Sequence, residues 1–279
     1  MTAGVETVRE LRERTGAGIM DCKAALLESN GDMEKAIDCL RKKGMASAAK
    51  RAGREAKEGL IGVSVKGSDA VMAEVNCETD FVARTDDFKA LLDLAVQETF
   101  ANGEQAVNSE KVTARVAELS GKIGEKIVVR RAKKVHGAGT LFSYVHSNQK
   151  LGVLIELAIS KVDSQKNAAF QELGRNLAMQ VAASNPLCVV RSEVPAAAIE
   201  REKAIYREEV KGKPDNIVEK ILLGKLEKFY QAQCLTEQPF IKEDKKSVKA
   251  LLDEVSKQIG DTVQIKQFVR FQLGETVSQ

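Results

Sequence analysis

Glu74-Val-Asn-Cys-Glu-Thr-Asp-Phe-Val-Ala-Arg84 runs a strand-like segment straight into an acid followed by two apolar side chains. Met72, Ala73, Val75 and Cys77 suit a strand buried over most of its surface, whereas Thr79 and Asp80 favour turns and helix starts. Phe81 therefore stands where a loop leaves a rigid element. Taken alone, the segment allows two readings. Asp80 caps a helical turn while Phe81 and Val82 enter the core, or the ring is held out as a contact.

Outward from this point the pattern is strand, strand, helix. Gly59–Val65 and Ala70–Val75 read as a hairpin turning at Lys66-Gly-Ser-Asp69, and Thr85 caps a helix whose apolar face is Phe88, Leu91, Leu92, Ala95 and Val96. Asp86 and Asp87 suit its positive N-terminus, and Asn102-Gly103 ends it. The same order returns later as Thr140–His146, a Ser147–Lys150 turn, Leu151–Leu157 and a helix over about 167–183. Phe88 aligns with Phe170, Leu91 with Leu173, and Leu94-Ala-Val-Gln97 with Leu177-Ala-Met-Gln180 after one gap, which marks an internal repeat. The second copy has Lys161-Val162-Asp163 near the place of Thr-Asp-Phe, so the special chemistry is expected in the first. The fold class is α+β, with a duplicated core of two related subdomains.

Three short helical patterns precede the core. Val5, Val8 and Leu11 form the first face; Ile19, Cys22, Ala25 and Leu26 the second; Met33, Ala36, Ile37 and Leu40 the third. Gly16 and Gly18 permit a reversal, Asp32 is an N-cap, and Arg41, Lys42, Lys43 and Gly44 read as a cationic end and a stop. Met45–Lys57 lacks a strong apolar stripe and reads as a partly helical linker on which the head moves. After the repeat, Pro195–Val210 and Pro214–Tyr230 form an antiparallel helical hairpin, with Ile199, Tyr206 and Val210 facing Ile217, Ile221 and Phe229. A capped helix over 247–259 and a strand over 264–273 complete the chain. The expected units are a head with linker at 1–54, a core N-subdomain at 55–139 and a core C-subdomain at 140–186 and 231–279. The hairpin, at 187–230, is inserted into the last of these.

Composition narrows the function classes. The 43 Lys and Arg against 40 Asp and Glu leave a formal charge of +3, which argues against affinity built mainly on phosphate neutralisation. The run Arg130-Arg-Ala-Lys-Lys134 lacks aromatic interleaving and reads as a solvated face, with RNA or ribosome binding by a non-catalytic adaptor as the alternative. Five scattered cysteines without CxxC fit neither a disulfide framework nor a zinc site. No nucleophile motif, phosphate-binding loop or metal-ligand cluster stands out, and His136 and His146 lack a paired acid or nucleophile in sequence. No covalent chemistry, cofactor or metal is expected. An acidic N-terminus without a long apolar run, and no stretch of ~20 apolar residues, point to a cytoplasmic protein without DNA or membrane partners.

Two stretches resemble signatures of the bacterial elongation factor Ts family: Leu11-Arg-Glu-Arg-Thr-Gly-Ala-Gly-Ile-Met-Asp-Cys-Lys-Ala-Ala-Leu26, departing at Ala24, and Glu74–Arg84 itself. The resemblance implies a ubiquitin-associated-like head that docks on a helix of a GTPase domain, with Met20 as the candidate contact, and a factor that exchanges GDP for GTP on elongation factor Tu. It also implies that Asp80 and Phe81 intrude near the partner's Mg²⁺ site, with Thr79 and Val82 shaping their approach. The projecting hairpin serves dimer contacts in some members, although self-packing alone accounts for its apolar residues. Relatives commonly continue past Gly-Glu with a further helix, whereas this sequence ends at Gly274-Glu-Thr-Val-Ser-Gln279.

Overall fold

Alternation along the inner strands splits their side chains between two apolar layers, and the architecture follows from that split. The computed structural model describes residues 4–51, 53–212 and 214–276, without the side chains of 45–50 and 215–216; Val277, Ser278 and Gln279 lie outside it. The first helices are α1 (Val5–Thr15), α2 (Ile19–Glu28) and α3 (Met33–Arg51). Then come β1 (Glu58–Lys66), β2 (Asp69–Cys77), α4 (Asp80–Ala83), α5 (Asp86–Asn102), α6 (Glu110–Ile123) and β3 (Val128–His136). The second half holds β4 (Thr140–Val145), β5 (Leu151–Ala158), α7 (Ala168–Ser184), α8 (Ala196–Glu209) and α9 (Asp215–Gln233). It closes with β6 (Pro239–Phe240), β7 (Glu243–Ser247), α10 (Val248–Ile259) and β8 (Gln264–Gln272).

The fold is α+β. Two antiparallel three-stranded sheets, ordered β1-β2-β3 and β4-β5-β8, stack face to face. On β2, Ala70 and Met72 join Ile61, Val135, Leu141, Leu154 and Phe271 in the layer between the sheets. Val71, Ala73, Val75 and Cys77 point the other way, into a core roofed by Phe88, Leu91, Ala95, Val112 and Leu119 of α5 and α6. The second sheet does the same with Val153, Ile155 and Leu157 against Phe170, Leu173, Leu177 and Leu252. The sequence places both hairpins and their helices within a few residues of these bounds.

Close packing fixes one glycine of α7. A Cβ on Gly174 would stand 2.4 Å from the Phe142 ring, which itself meets Phe170 edge-on at 5.5 Å. Gly174→Ala gains up to about 1 kcal/mol of helix propensity. Overpacking of a buried ring costs about 1–3 kcal/mol. The expected outcome is a net loss near 1–2 kcal/mol, read from the urea midpoint at unchanged m-value.

Four expectations need correction. Gly44 does not stop α3, which continues to Arg51. The glycine serves a helix crossing instead: a Cβ on Gly121 of α6 would meet the Gly44 Cα at 3.3 Å, and Arg51 donates to the Ser120 carbonyl at 3.3 Å. Helix α3 thus seats the head on α6, and the stretch read as a partly helical linker is helical as far as Arg51. Ile19 is 54% exposed and lies outside the head core of Leu11, Cys22, Ala25, Leu26 and Ala36. As the first residue of α2 its side chain leans back toward the Gly16–Gly18 turn rather than into the helix interface.

Another correction concerns Arg130–Lys134, which lies within β3, paired along β2 from His136 to Val128, with Arg130 and Lys133 exposed but Arg131 and Lys134 partly buried. Arg131 Nε donates to the Glu74 carboxylate at 2.6 Å, and Arg130 Nη1 does so at 3.3 Å. Glu74 is fully buried, and the Gly274 N–H also donates to it at 2.9 Å. Arg131 continues to Glu275 at 3.0 Å and covers the Phe271 ring at 3.9 Å. These contacts tie the first sheet to the end of β8.

The hairpin of α8 and α9 stands on a small core of Cys188, Val194 and Cys234 with Ile199, Phe229 and Tyr230 against it. Val210, Leu222 and Leu226 are buried, whereas Ile217 remains exposed, because Leu222 and Leu226 occupy the inward positions of α9. Arg191 braces its foot through Glu227 and Glu237 while lying over the Tyr230 ring at 4.7 Å.

Candidate functional site

Immediately after β2 the chain turns through α4, a single helical turn of Asp80–Ala83. Thr79 is its N-cap: the hydroxyl accepts the Val82 N–H at 3.5 Å, a long contact of the kind that satisfies a free N-terminal donor. Val82 and Ala83 face inward and are buried. Phe81, between an acid and these two, is driven outward and is 78% exposed. Asp80 accepts from Arg84 Nη2 at 2.6 Å across the turn, so the acid is oriented but still partly open to solvent. The structure thus separates what the sequence left open: Val82 packs into the core and the Phe81 ring does not.

The turn is held from behind by residues more than forty positions away. Glu125 Oε2 accepts the N–H groups of Glu78 and Thr79 at 3.1 and 3.0 Å, and Oε1 accepts the Thr79 hydroxyl at 2.6 Å. Glu78 returns the contact by accepting the Lys126 N–H at 2.6 Å. This backbone donor, helped by Arg54 at 3.3 Å, holds the Glu78 carboxyl below its ordinary range. Residues 78–79 and 125–126 therefore grip each other reciprocally. No motif marks Glu125 in the sequence; the available signal is its place directly after Gly124, the left-handed C-cap of α6. Cys77, beneath the turn, is buried in the core, and that burial pushes its thiol up to about 12.

On the head, Met20 is 74% exposed beside Ile19, so these two apolar side chains flank the glycine turn together. The structure brings Thr79, Asp80, Phe81 and Val82 onto one turn and leaves Met20 on the separate head.

The second half has a turn at the corresponding place, after β5. Asp261, following the Gly260 cap of α10, accepts the N–H groups of Ser160 and Lys161 at 3.1 and 2.8 Å. The exposed apolar residue there is Val162, followed by Asp163. Burial alone raises the Asp261 carboxyl, but the backbone N–H groups of Lys161, Ser160 and Thr262 and the Ser164 hydroxyl outweigh it and set the group at about 2. An unfolded aspartate titrates near ~3.9. A depressed folded value stabilises above the unfolded one and is lost as pH falls toward the folded one. Wild type should lose its stability margin over Asp261→Asn between roughly pH 5 and pH 2, read as converging urea midpoints.

Comparison with known proteins places this geometry in a family. The family model described as "Elongation factor TS" matches residues 78–275. An elongation factor Ts of Prosthecochloris aestuarii is 46% identical, covering 96% of this chain and 97% of its own. One from Nitratidesulfovibrio vulgaris is 44% identical over 99% and 97%, and one from Clostridium botulinum is 40% identical over 98% and 94%. The matches span the head, both sheets, the hairpin and the turn that carries Phe81, and by them the chain belongs to the elongation factor Ts family of translation factors.

Proposed function

We propose that this protein binds the GDP complex of elongation factor Tu and promotes exchange of GDP for GTP, opening the nucleotide pocket with Asp80 and Phe81. The observation that carries this reading is a solvent-exposed aromatic ring on a turn whose backbone is capped, packed and clamped. An exposed ring ordinarily costs affinity for water and gains nothing; one on a rigid base is suited to enter a partner without an ordering cost. A GTPase holds GDP through backbone N–H groups around the phosphates and through Mg²⁺, so spreading its helices and displacing the ion's ligands releases the nucleotide. Phe81 supplies the wedge. Asp80 meets the polar groups near the ion, and Thr79 and Val82 fix the approach.

Burying the ring offers about 1.5–3 kcal/mol toward the open state. A ~10⁴-fold acceleration needs about 5.5 kcal/mol, so a wider interface contributes. Met20, on a head read as ubiquitin-associated-like, provides a second contact. The chain then does no covalent chemistry, needs no cofactor, and catalyses exchange in both directions in the cytoplasm. By linkage, GDP and this protein weaken each other's binding. The duplicated-core reading assigns the exchange role to the first copy and support to the second.

The RNA-adaptor alternative finds less support. Arg130 and Arg131 are spent on Glu74, Lys133 meets Glu104 at 3.0 Å, and Lys134 donates to the Phe100 carbonyl at 2.6 Å. The deciding experiment follows fluorescent GDP leaving elongation factor Tu with and without the chain. A rise in release rate with added chain, opposed by excess Mg²⁺, supports the reading; an unchanged rate overturns it.

A further inference from the structure

Three donors at the base of the wedge, the Glu78 and Thr79 N–H groups and the Thr79 hydroxyl, converge on one carboxylate. We propose that Glu125 is a positioning residue for nucleotide exchange: it holds the Glu78-Thr79 backbone so that Asp80 and Phe81 project in one fixed direction. This inference rests on the exchange reading above.

Three geometric facts carry it. Glu125 accepts two successive backbone N–H groups and a hydroxyl at 2.6–3.1 Å, the pattern that leaves a carboxylate no rotational freedom. Its grip is reciprocated by Glu78 on the Lys126 N–H, so the two segments are bonded to each other in both directions at the end of β2. The hydroxyl it fixes belongs to Thr79, which caps α4, so the last link passes directly into the helical turn bearing the ring.

The second half of the molecule provides an internal control. Glu74 and Glu156, Thr85 and Asn167, and Phe88 and Phe170 keep one constant sequence offset. At that offset Glu78 and Thr79 correspond to Ser160 and Lys161, whose N–H groups go to Asp261. The fold therefore uses a carboxylate after a helix cap at both places. In the first half the clamp reaches the N-cap hydroxyl of Thr79 and the Glu78 carboxylate answers it; in the second Asp261 reaches the Ser164 hydroxyl instead, Ser160 stands where Glu78 stands, and Lys161 where Thr79 stands. A carboxylate serving the fold alone matters equally in both halves; one that aims a ring matters in the first.

The chain contains no tryptophan, so Phe81→Trp places a single fluorophore on the turn. In that background Glu125→Ala should lower the indole anisotropy and shorten its slow correlation component, whereas Asp261→Ala should leave both unchanged. With Phe81 intact, Glu125→Ala should cut the acceleration of GDP release by about 10²-fold, the loss expected of a misplaced working group. Glu125→Gln, which keeps an acceptor for the N–H groups, should restore exchange to within a few-fold of wild type by the same positioning argument. Asp261→Ala should remain close to wild type in exchange even where it melts lower. Should Glu125→Ala fail to fold, Glu125→Asp, which draws the carboxylate back by one methylene and leaves the Thr79 cap in place, is measured instead and should lower both exchange and anisotropy. Wild-type exchange in the Glu125→Ala chain, an unmoved anisotropy, or an equal loss in Asp261→Ala overturns the positioning role. Absence of acceleration by wild type would instead sink the exchange reading, and the anisotropy pair would still decide whether Glu125 holds the turn.

Discussion

Phe81→Ala should reduce the acceleration of GDP release from elongation factor Tu by roughly 10- to 150-fold, the equivalent of losing about 1.5–3 kcal/mol of ring burial in the open complex. Stopped-flow release of labelled GDP over a range of chain concentrations reads it. The ring is 78% exposed and touches no core cluster, so the melting temperature should stay at the wild-type value, a surface change being worth within about ±0.5 kcal/mol. That combination separates a contact from a core anchor: a core phenylalanine cut to alanine loses about 3–5 kcal/mol of stability. Asp80→Ala should act in the same direction, and more steeply as Mg²⁺ is raised. If both variants exchange as wild type while wild type is active, the assignment of the wedge fails and the exchange role survives.

Glu74→Ala should destabilise the fold by about 3 kcal/mol, as much as the truncation of a core side chain. It leaves Arg130, Arg131 and the Gly274 N–H without their common acceptor at a fully buried position. The arginine side chains are 30% and 15% exposed, which lets water reach them and places the loss at the lower end of the range for broken buried pairs. Urea unfolding with a double-mutant cycle tests it: Glu74→Ala and Arg131→Ala together should cost clearly less than their sum. Additive losses would show that the carboxylate and the guanidinium act independently.

These two residues also show what a single chain of letters exposes. Phe81 is legible because its neighbours are: a strand pattern, a capping Thr79 and a turn-forming acid define the turn before any partner is considered. The hairpins, the capped helices α5, α7 and α10, and the pairing of α8 with α9 are legible for the same local reason. Strand β3 is not, because Val-Val-Arg-Arg-Ala-Lys-Lys-Val-His carries charges where alternation would mark an inward face. Arg131 turns inward because Glu74 of β2 and Glu275 beyond β8 wait for it, and pairing over such separations leaves no periodic trace. Gly44 reads as a stop because the crossing partner that makes a glycine useful, Gly121, is remote in sequence. Glu125 is silent for the same reason: its three donors belong to another stretch of chain.

The seat of the head on α6 carries a mechanical consequence. Helix α3 spans roughly 28 Å at 1.5 Å per residue and lies against α6 at Gly44 and Gly121, while the Lys122 stem fills the space beside Gly16 and its ammonium reaches Asp87 at 2.7 Å. A few residues further on, Glu125 grips the turn that carries Phe81. One short segment, residues 121–125, thus bears both Met20's module and the ring, like callipers locked at a single gap. A body that fits both jaws loses its freedom of tumbling once rather than twice, and one whose two surfaces lie at another distance can be held by only one of them. On the proposed exchange reading, spacing is itself a form of selectivity.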